Sequence, residues 1–172
     1  MLDWVINLLL PPIITKFFDI IKNGNSSIVG TWADIGYETG TRKELYYAVF
    51  YIAQHNSELT MDGRIFDTSF TYLWSFKSDF CIQRDYTLKY VNIFGGRDSN
   101  IMNVIRGEFD FTKNGLRFPI SFNGYYVSNN GRRIVEGIKL TKERLKKIKD
   151  AYPGNSSDPK NILRVLIPDL KA

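Results

Sequence analysis

IVGTWADIGYE, residues 28–38, is the stretch of sequence that decides the fold. Gly30 and, two positions later, Trp32 open a segment rich in aromatic and β-branched residues, and many small closed β-barrels begin in this way. The sequence ahead of this stretch has a helical pattern, and a long alternating region follows it. We therefore ask whether residues 28–38 form the first strand of a closed barrel.

The composition fits one β-rich domain. The chain has 172 residues, of which 44% are hydrophobic and 15% aromatic, with 12 Phe and 10 Tyr. This length is sufficient to bury a core without disulfides, and aromatic side chains suit a pleated, half-buried surface. The net charge of +5 favours anionic partners, although the basic residues are spread along the chain. We predict a helical segment over residues 1–24 and a barrel domain over residues 25–172.

The cysteine and histidine counts restrict the chemistry. Cys81 is the one cysteine, so no internal disulfide can form, and a reducing compartment is the simpler interpretation. His55 is the one histidine, which argues against a His-rich metal site and a His-based triad. The sequence contains no P-loop or dinucleotide fingerprint, and outward alternation explains most of its carboxylates. We expect no metal, no cofactor and no enzymatic activity.

Residues 1–24 are the most apolar part of the chain. Asp3, Lys16 and Asp19 interrupt the apolar run, which is shorter than a membrane-spanning helix requires. From Pro12 the apolar residues recur at helical spacing until Gly24, which predicts an amphipathic helix. Three roles remain open for it: packing on or plugging the barrel, self-association or docking to another protein, and anchoring at a membrane surface.

The body of the chain reads as eight short-linked strands. Such strands pair antiparallel and remove their exposed edges by closing, so we predict a mainly β fold: a closed eight-stranded up-and-down, calycin-like barrel with an N-terminal helix and a short C-terminal helix. Residues 141–154 predict that C-terminal helix, and the apolar element after them is left open as a short strand. Pro119 conflicts mildly with the seventh strand. The predicted strands cover residues 28–38, 45–55, 58–67, 70–83, 85–94, 100–111, 116–128 and 132–141.

The interior face of each strand is predicted as its heavier apolar face. In the eighth strand that rule selects Ile134, Glu136 and Ile138. Polar residues on otherwise apolar faces are informative because an unpartnered buried polar group costs several kcal/mol. Aromatic rings can stack on bases, and arginines near the strand ends can reach phosphates. Together with the polar residues on apolar faces, these side chains predict a site for a polar, ring-bearing anion. The candidate ligand-binding residues are Tyr72, Trp74, Arg84, Tyr90, Asn92, Asn103, Arg106, Tyr126 and Glu136.

Five segments of the body resemble a known family. They are GTW at 30–32, YIAQHNSELTMDGRIFD at 51–67, YTLKYVNIF at 86–94, IRGEFDF at 105–111 and FNGYYVSNNGRRIVEGIKLT at 122–141. Together they resemble the β-barrel of the SMODS-associated, β-strand-rich effectors with two transmembrane helices, which belong to the CBASS antiphage systems of bacteria. The resemblance spans residues 28–141. It implies a barrel that binds a cyclic di- or oligonucleotide made by a partner nucleotidyltransferase, followed by self-association and membrane damage.

The resemblance also sets expectations for partners and location. It implies a cyclic di- or trinucleotide ligand, a homo-oligomer and no long nucleic acid, in the bacterial cytoplasm or at the inner membrane through residues 1–24. The family carries a two-helix hairpin before its barrel, whereas residues 1–24 offer one short, charged, Pro-interrupted segment. A soluble sensor and a protein that sequesters the nucleotide are therefore further alternatives. A different class, a lipocalin-like or fatty-acid-binding-like carrier of an apolar molecule, predicts a drier pocket lined by Phe and Ile.

Overall fold

A computed structural model describes residues 28–56, 58–95, 103–112 and 118–171. Its eight strands form a closed antiparallel barrel in sequence order, in which β1 pairs with both β2 and β8. This confirms the predicted mainly β, up-and-down barrel. The helix predicted within residues 1–24 and the turn predicted at residues 113–115 lie outside the described residues.

The strand boundaries follow the alternation and the turn residues closely. Asn56, at a positive φ of 56°, turns the chain between β2 and β3, as the predicted hairpin requires. Pro119 lies before β7 rather than inside it. The conflict is removed because a residue ahead of the strand does not need an N–H group to donate to the neighbouring strand. The strands are β1 (Gly30–Glu38), β2 (Glu44–His55), β3 (Glu58–Phe66), β4 (Tyr72–Arg84), β5 (Thr87–Gly95), β6 (Asn103–Phe111), β7 (Ser121–Ser128) and β8 (Gly131–Lys139).

Two helices follow the barrel. The first, α1 (Lys142–Ala151), confirms the predicted C-terminal helix, and the Thr141 hydroxyl caps it by accepting from the Arg144 amide at 3.3 Å. The second helix is α2 (Pro159–Lys171). It corrects the interpretation of this apolar element as a possible short strand. Its proline stands at the first helical position and its buried residues recur at helical spacing, so the sequence carried helical signals there.

The barrel wall buries side chains on both of its faces near β1. The lumen holds one cluster, which includes Trp32 and Phe50. A second cluster lies outside the wall, where α2 packs on β1, β2 and β8. Ile35 of β1 and Leu163 of α2, both fully buried, belong to this outer cluster. No helix within the described residues is long and apolar enough to cross a membrane.

The outer cluster explains one wrong prediction. Ile138 and Ile134 pack against the outer cluster, and Glu136 lies between them on the same outward face of β8. The interior face of β8 is the alternate one, where Val135 contacts the lumen cluster. The heavier apolar face of β8 is therefore its outer face, because a helix covers that side of the strand.

We expect Leu163→Ala to destabilise the whole barrel rather than only α2. Leu163 is fully buried between α2 and the wall, and a Leu→Ala change in a core costs about 2–5 kcal/mol. Urea denaturation followed by circular dichroism and by tryptophan fluorescence measures this loss. The control is Lys146→Ala on the exposed side of α1, for which we expect a change below about 0.5 kcal/mol. Separate transitions for helix and barrel would contradict a single cooperative unit.

Candidate functional site

The lumen is divided into an aromatic part and a polar part. In the aromatic part, the rings of Phe109 and Phe122 stack at 4.2 Å, and Trp32 meets Phe111 edge-on at 5.0 Å. The Trp32 indole donates to the Ile28 carbonyl at 2.8 Å, so its one polar atom is satisfied. The tryptophan of the GTW stretch therefore serves to fill this end of the lumen with the packed rings around it.

The polar part of the lumen contains a cavity of about 30 Å³. About 10–15 Å³ of such volume is enough for one water molecule, so the cavity has room for a small group of one or a few heavy atoms. Tyr126, which lines it, is only half-buried, which places the cavity towards the end of the barrel where the β7–β8 turn lies. The lining residues are Asp34, Tyr46, Met61, Phe76, Tyr90, Asn92, Ile105, Phe109 and Tyr126.

Asp34 is the most unusual residue of this cavity. It is 4% exposed, and its Oδ1 atom has no hydrogen-bond partner among the described residues. Burial without a compensating cation raises the pKa of the Asp34 carboxyl well above its usual range. Asn92, 3% exposed, also leaves its Oδ1 atom without a described partner. Two buried hydrogen-bond acceptors therefore line one small cavity.

Three tyrosines surround these acceptors. The rings of Tyr46 and Tyr126 lie 6.1 Å apart. Burial raises the pKa of Tyr126 to about 12, and those of Tyr46 and Tyr90 well above their ordinary value. All three stay neutral at physiological pH, so the walls offer aromatic faces and hydroxyls but no charge.

Glycines hold two of these rings in place. A Cβ atom on Gly36 would lie 2.0 Å from the Tyr46 ring, and one on Gly107 would lie 2.4 Å from that of Tyr90. Each ring therefore lies flat on bare backbone of a neighbouring strand. This close approach fixes the walls of the cavity and limits its size.

An arginine lies next to this site at the end of the barrel. Arg133 of β8 is opposite Tyr126 on one side and Glu38 on the other, and paired residues project from the same face of a sheet. Its side chain therefore points to the lumen side, and its charge acts on the Tyr126 hydroxyl. Within the described part of the chain, no ion pair involves Arg133. Arg132 instead lies on the outer face, 4.0 Å from the Tyr125 ring centroid.

The structure brings three of the predicted ligand-binding residues together. Tyr90, Asn92 and Tyr126 all line the cavity, so the alternation of β5 and β7 identified their faces correctly. Asn103 begins β6 opposite Phe94, and its side chain lies outside what the structure describes. The ligand-binding role of these four residues stays a prediction.

The other five predicted residues lie away from the cavity. Tyr72 packs edge-on against Phe66 outside the wall, and Trp74 of β4 is 40% exposed. Glu136 forms an ion pair with Arg42 on the outer face of β8. The two remaining arginines are exposed: Arg84 is at the end of β4, and Arg106 lines an outer groove of about 400 Å³. Trp74 pairs with Ile65 of the lumen cluster and so projects to the lumen side of the wall, but none of these five residues lines the cavity.

Sequence reasoning missed Asp34 and Tyr46. Asp34 carried a usable signal, because it is a carboxylate with alanine and isoleucine on either side. Tyr46 precedes another tyrosine, and only the strand pairing shows which of the two points inward. Arg133 is one of several arginines near predicted strand ends, and it was not selected as a candidate because the wrong face of β8 was taken as interior.

The comparisons with known proteins add no identity to this geometry. No family model matches the chain, and no curated protein matches it. The barrel and its polar lumen site therefore define the class of this protein as a closed β-barrel with a small polar interior site. Among the described residues, no cluster of three or more His, Cys, Asp or Glu side chains could hold a metal ion.

We expect Asp34→Asn to change how stability depends on pH. The unfolded chain loses the aspartate proton near pH 3.9, whereas the folded chain retains it to higher pH. The free energy of unfolding of the natural chain therefore falls as the pH rises above about 4, and the variant lacks this loss. Urea denaturation at pH 4, 6 and 8 should show a growing relative gain for the variant, about 1–3 kcal/mol at pH 8.

The matched control for this prediction is Asp62→Asn. Asp62 is exposed on β3, so we expect a difference below about 0.5 kcal/mol at every pH. A difference between Asp34→Asn and the natural chain that stays constant from pH 4 to pH 8 would show that Asp34 titrates normally.

Proposed function

We propose that this protein is a non-enzymatic receptor whose barrel binds a cyclic di- or trinucleotide at the polar end of its lumen. The observation that carries the proposal is the pairing of two features at one barrel end. Unpartnered buried acceptors lie inside, at Asp34 and Asn92, and an inward-facing cation lies above them, at Arg133. A nucleotide carries the complementary groups, because its base edge has N–H donors and its phosphate is anionic.

The size of the cavity limits how such a ligand binds. A volume of about 30 Å³ admits one group at the edge of a base, and the rest of the base stays at the barrel end. There the half-buried ring of Tyr126 offers a stacking face, and Arg133 reaches a phosphate with a guanidinium that can donate two hydrogen bonds. The ligand therefore caps the barrel rather than entering it.

The biological role follows from the resemblance to the CBASS effectors. It favours a bacterial antiphage sensor whose ligand is made by a partner nucleotidyltransferase and whose occupied state self-associates. A ligand that favours the assembled state by about 3–5 kcal/mol would make a rare assembly the dominant one. Residues 1–24, which the sequence predicts as an amphipathic helix, are the segment we propose for assembly or for contact with the inner membrane.

The packing of the lumen argues against the carrier alternative. A carrier of a fatty acid needs an apolar cavity that holds a chain of methylene groups. The apolar part of this lumen is occupied by stacked rings, and the described cavity beside it is small and includes the polar side chains of Asp34 and Asn92. These two observations favour a receptor for a polar ligand.

We expect cyclic nucleotides to stabilise the full chain. At about 100 times the dissociation constant, a ligand that binds only the folded state adds roughly 2.7 kcal/mol, which is about 5–10 °C in a domain of this size. Differential scanning fluorimetry with cyclic di-GMP, cyclic di-AMP, cyclic GMP–AMP and cyclic tri-AMP measures this shift, and calorimetry gives the affinity. Stabilisation by oleate or palmitate, with none by any nucleotide, would support the carrier instead.

We expect Arg133→Ala to weaken the best nucleotide about 10- to 100-fold, because a hydrogen bond to a charged group contributes about 1.5–3 kcal/mol. Arg84→Ala is the matched control. Arg84 is an exposed arginine next to the β4–β5 turn, at the opposite end of the barrel, so its loss should leave the affinity unchanged. Equal losses in the two variants would indicate a non-specific charge effect. Circular dichroism checks that both variants fold.

A further inference from the structure

The inner end of the site has an unusual chemical requirement. The Oδ1 atoms of Asp34 and Asn92 both lack a described hydrogen-bond partner, and both residues are at least nine-tenths buried. An unsatisfied buried acceptor costs about 1–3 kcal/mol. Asp34 of β1 and Asn92 of β5 line the same cavity, so hydrogen-bond donors placed there can satisfy these acceptors.

The cavity also restricts the size and type of that group. It admits only a small group, because it has a volume of about 30 Å³ and because the rings of Tyr46 and Tyr90 lie close to Gly36 and Gly107. Most of its remaining lining is aromatic or aliphatic, and Asp34 is the one carboxyl group among the lining residues. The complementary group is a small hydrogen-bond donor, and an –NH₂ group is the small donor with two hydrogens that an organic ligand carries.

We propose that Asp34 and Asn92 form an amino-group subsite, which selects ligands by an exocyclic –NH₂ placed in the cavity. The inference rests on the proposed function, since a nucleobase is the ligand part that delivers this amino group. Adenine, guanine and cytosine carry one, whereas uracil and hypoxanthine do not. An acid kept neutral by burial still accepts a hydrogen bond through its carbonyl oxygen, so the subsite works with a neutral amine.

Pairs of ligands whose bases differ in the exocyclic amino group test this directly: hypoxanthine lacks the 2-amino group of guanine, and hypoxanthine and uracil carry an oxo group where adenine and cytosine carry –NH₂. Calorimetry compares cyclic di-AMP and cyclic di-GMP with cyclic di-IMP, and cyclic di-CMP with cyclic di-UMP. We expect the amino form of the bound base class to bind at least about tenfold tighter, because an analogue without the donor leaves the buried acceptors unpaired. Equal affinities within each pair would overturn the subsite while the receptor function stands.

A variant identifies the atoms responsible. Asn92→Leu removes one acceptor with the same number of side-chain heavy atoms and leaves no unsatisfied amide, so we expect it to lose most of the preference for the amino form. Asn123→Leu, on the exposed outer face of β7, is the matched control and should keep the full preference. If Asn92→Leu fails to fold, Asp34→Val replaces it: the valine removes the other acceptor, so the preference for the amino form should again be lost. An unchanged preference in the folded variant would overturn the assignment.

A second arm separates failure of the subsite from failure of the proposed function. If none of the nucleotides binds, the receptor proposal fails, and the subsite is tested with ammonium ion alone. Ammonium and potassium are of similar size, but only ammonium donates hydrogen bonds. Stabilisation of the natural chain by ammonium chloride over equal potassium chloride, absent in Asn92→Leu, would support a subsite for aliphatic amines. No difference between the two salts would overturn the subsite as well.

Discussion

The pairing of β1 with β8 is the constraint on which the rest of the structure depends. It closes an eight-stranded sheet, and a barrel of this size is only wide enough for packed side chains or one small ligand. Closure also removes every free sheet edge, so each strand must divide its residues between lumen and outer wall. Function in such a protein depends on the few lumen positions that aromatic packing does not use.

The lumen shows how this division is used. Large rings such as those of Trp32 and Phe122 fill one part and supply the burial that stabilises the barrel. In the other part, Gly36 and Gly107 let tyrosine rings lie on the backbone, and the remaining space is lined by Asp34. A buried acidic side chain without a described partner costs stability. In the receptor that we propose, a ligand that supplied a partner would recover that cost, which would link occupancy of the site to the stability of the whole barrel.

The sequence predicted the strands well and the site only in part. Strand ends were readable because turns such as Asn129-Asn130-Gly131 interrupt clear alternation. Tyr90 and Tyr126 were placed correctly because α2 packs mainly on β1, β2 and β8, so the heavier apolar face of β5 and of β7 is the lumen face. The same rule failed for Glu136, since α2 covers the outer face of β8 with its own apolar residues.

By itself, the sequence determined the period, number and order of the strands, because alternation and turn chemistry are local properties of the chain. Only the tertiary structure decided which face of each strand points inward. A shift of one residue exchanges the two faces of a strand, and α2 covers apolar residues on the outer faces of β1 and β8. The placement of Asp34, Asn92 and Arg133 on the lumen side depends on that choice, since they come from three different strands.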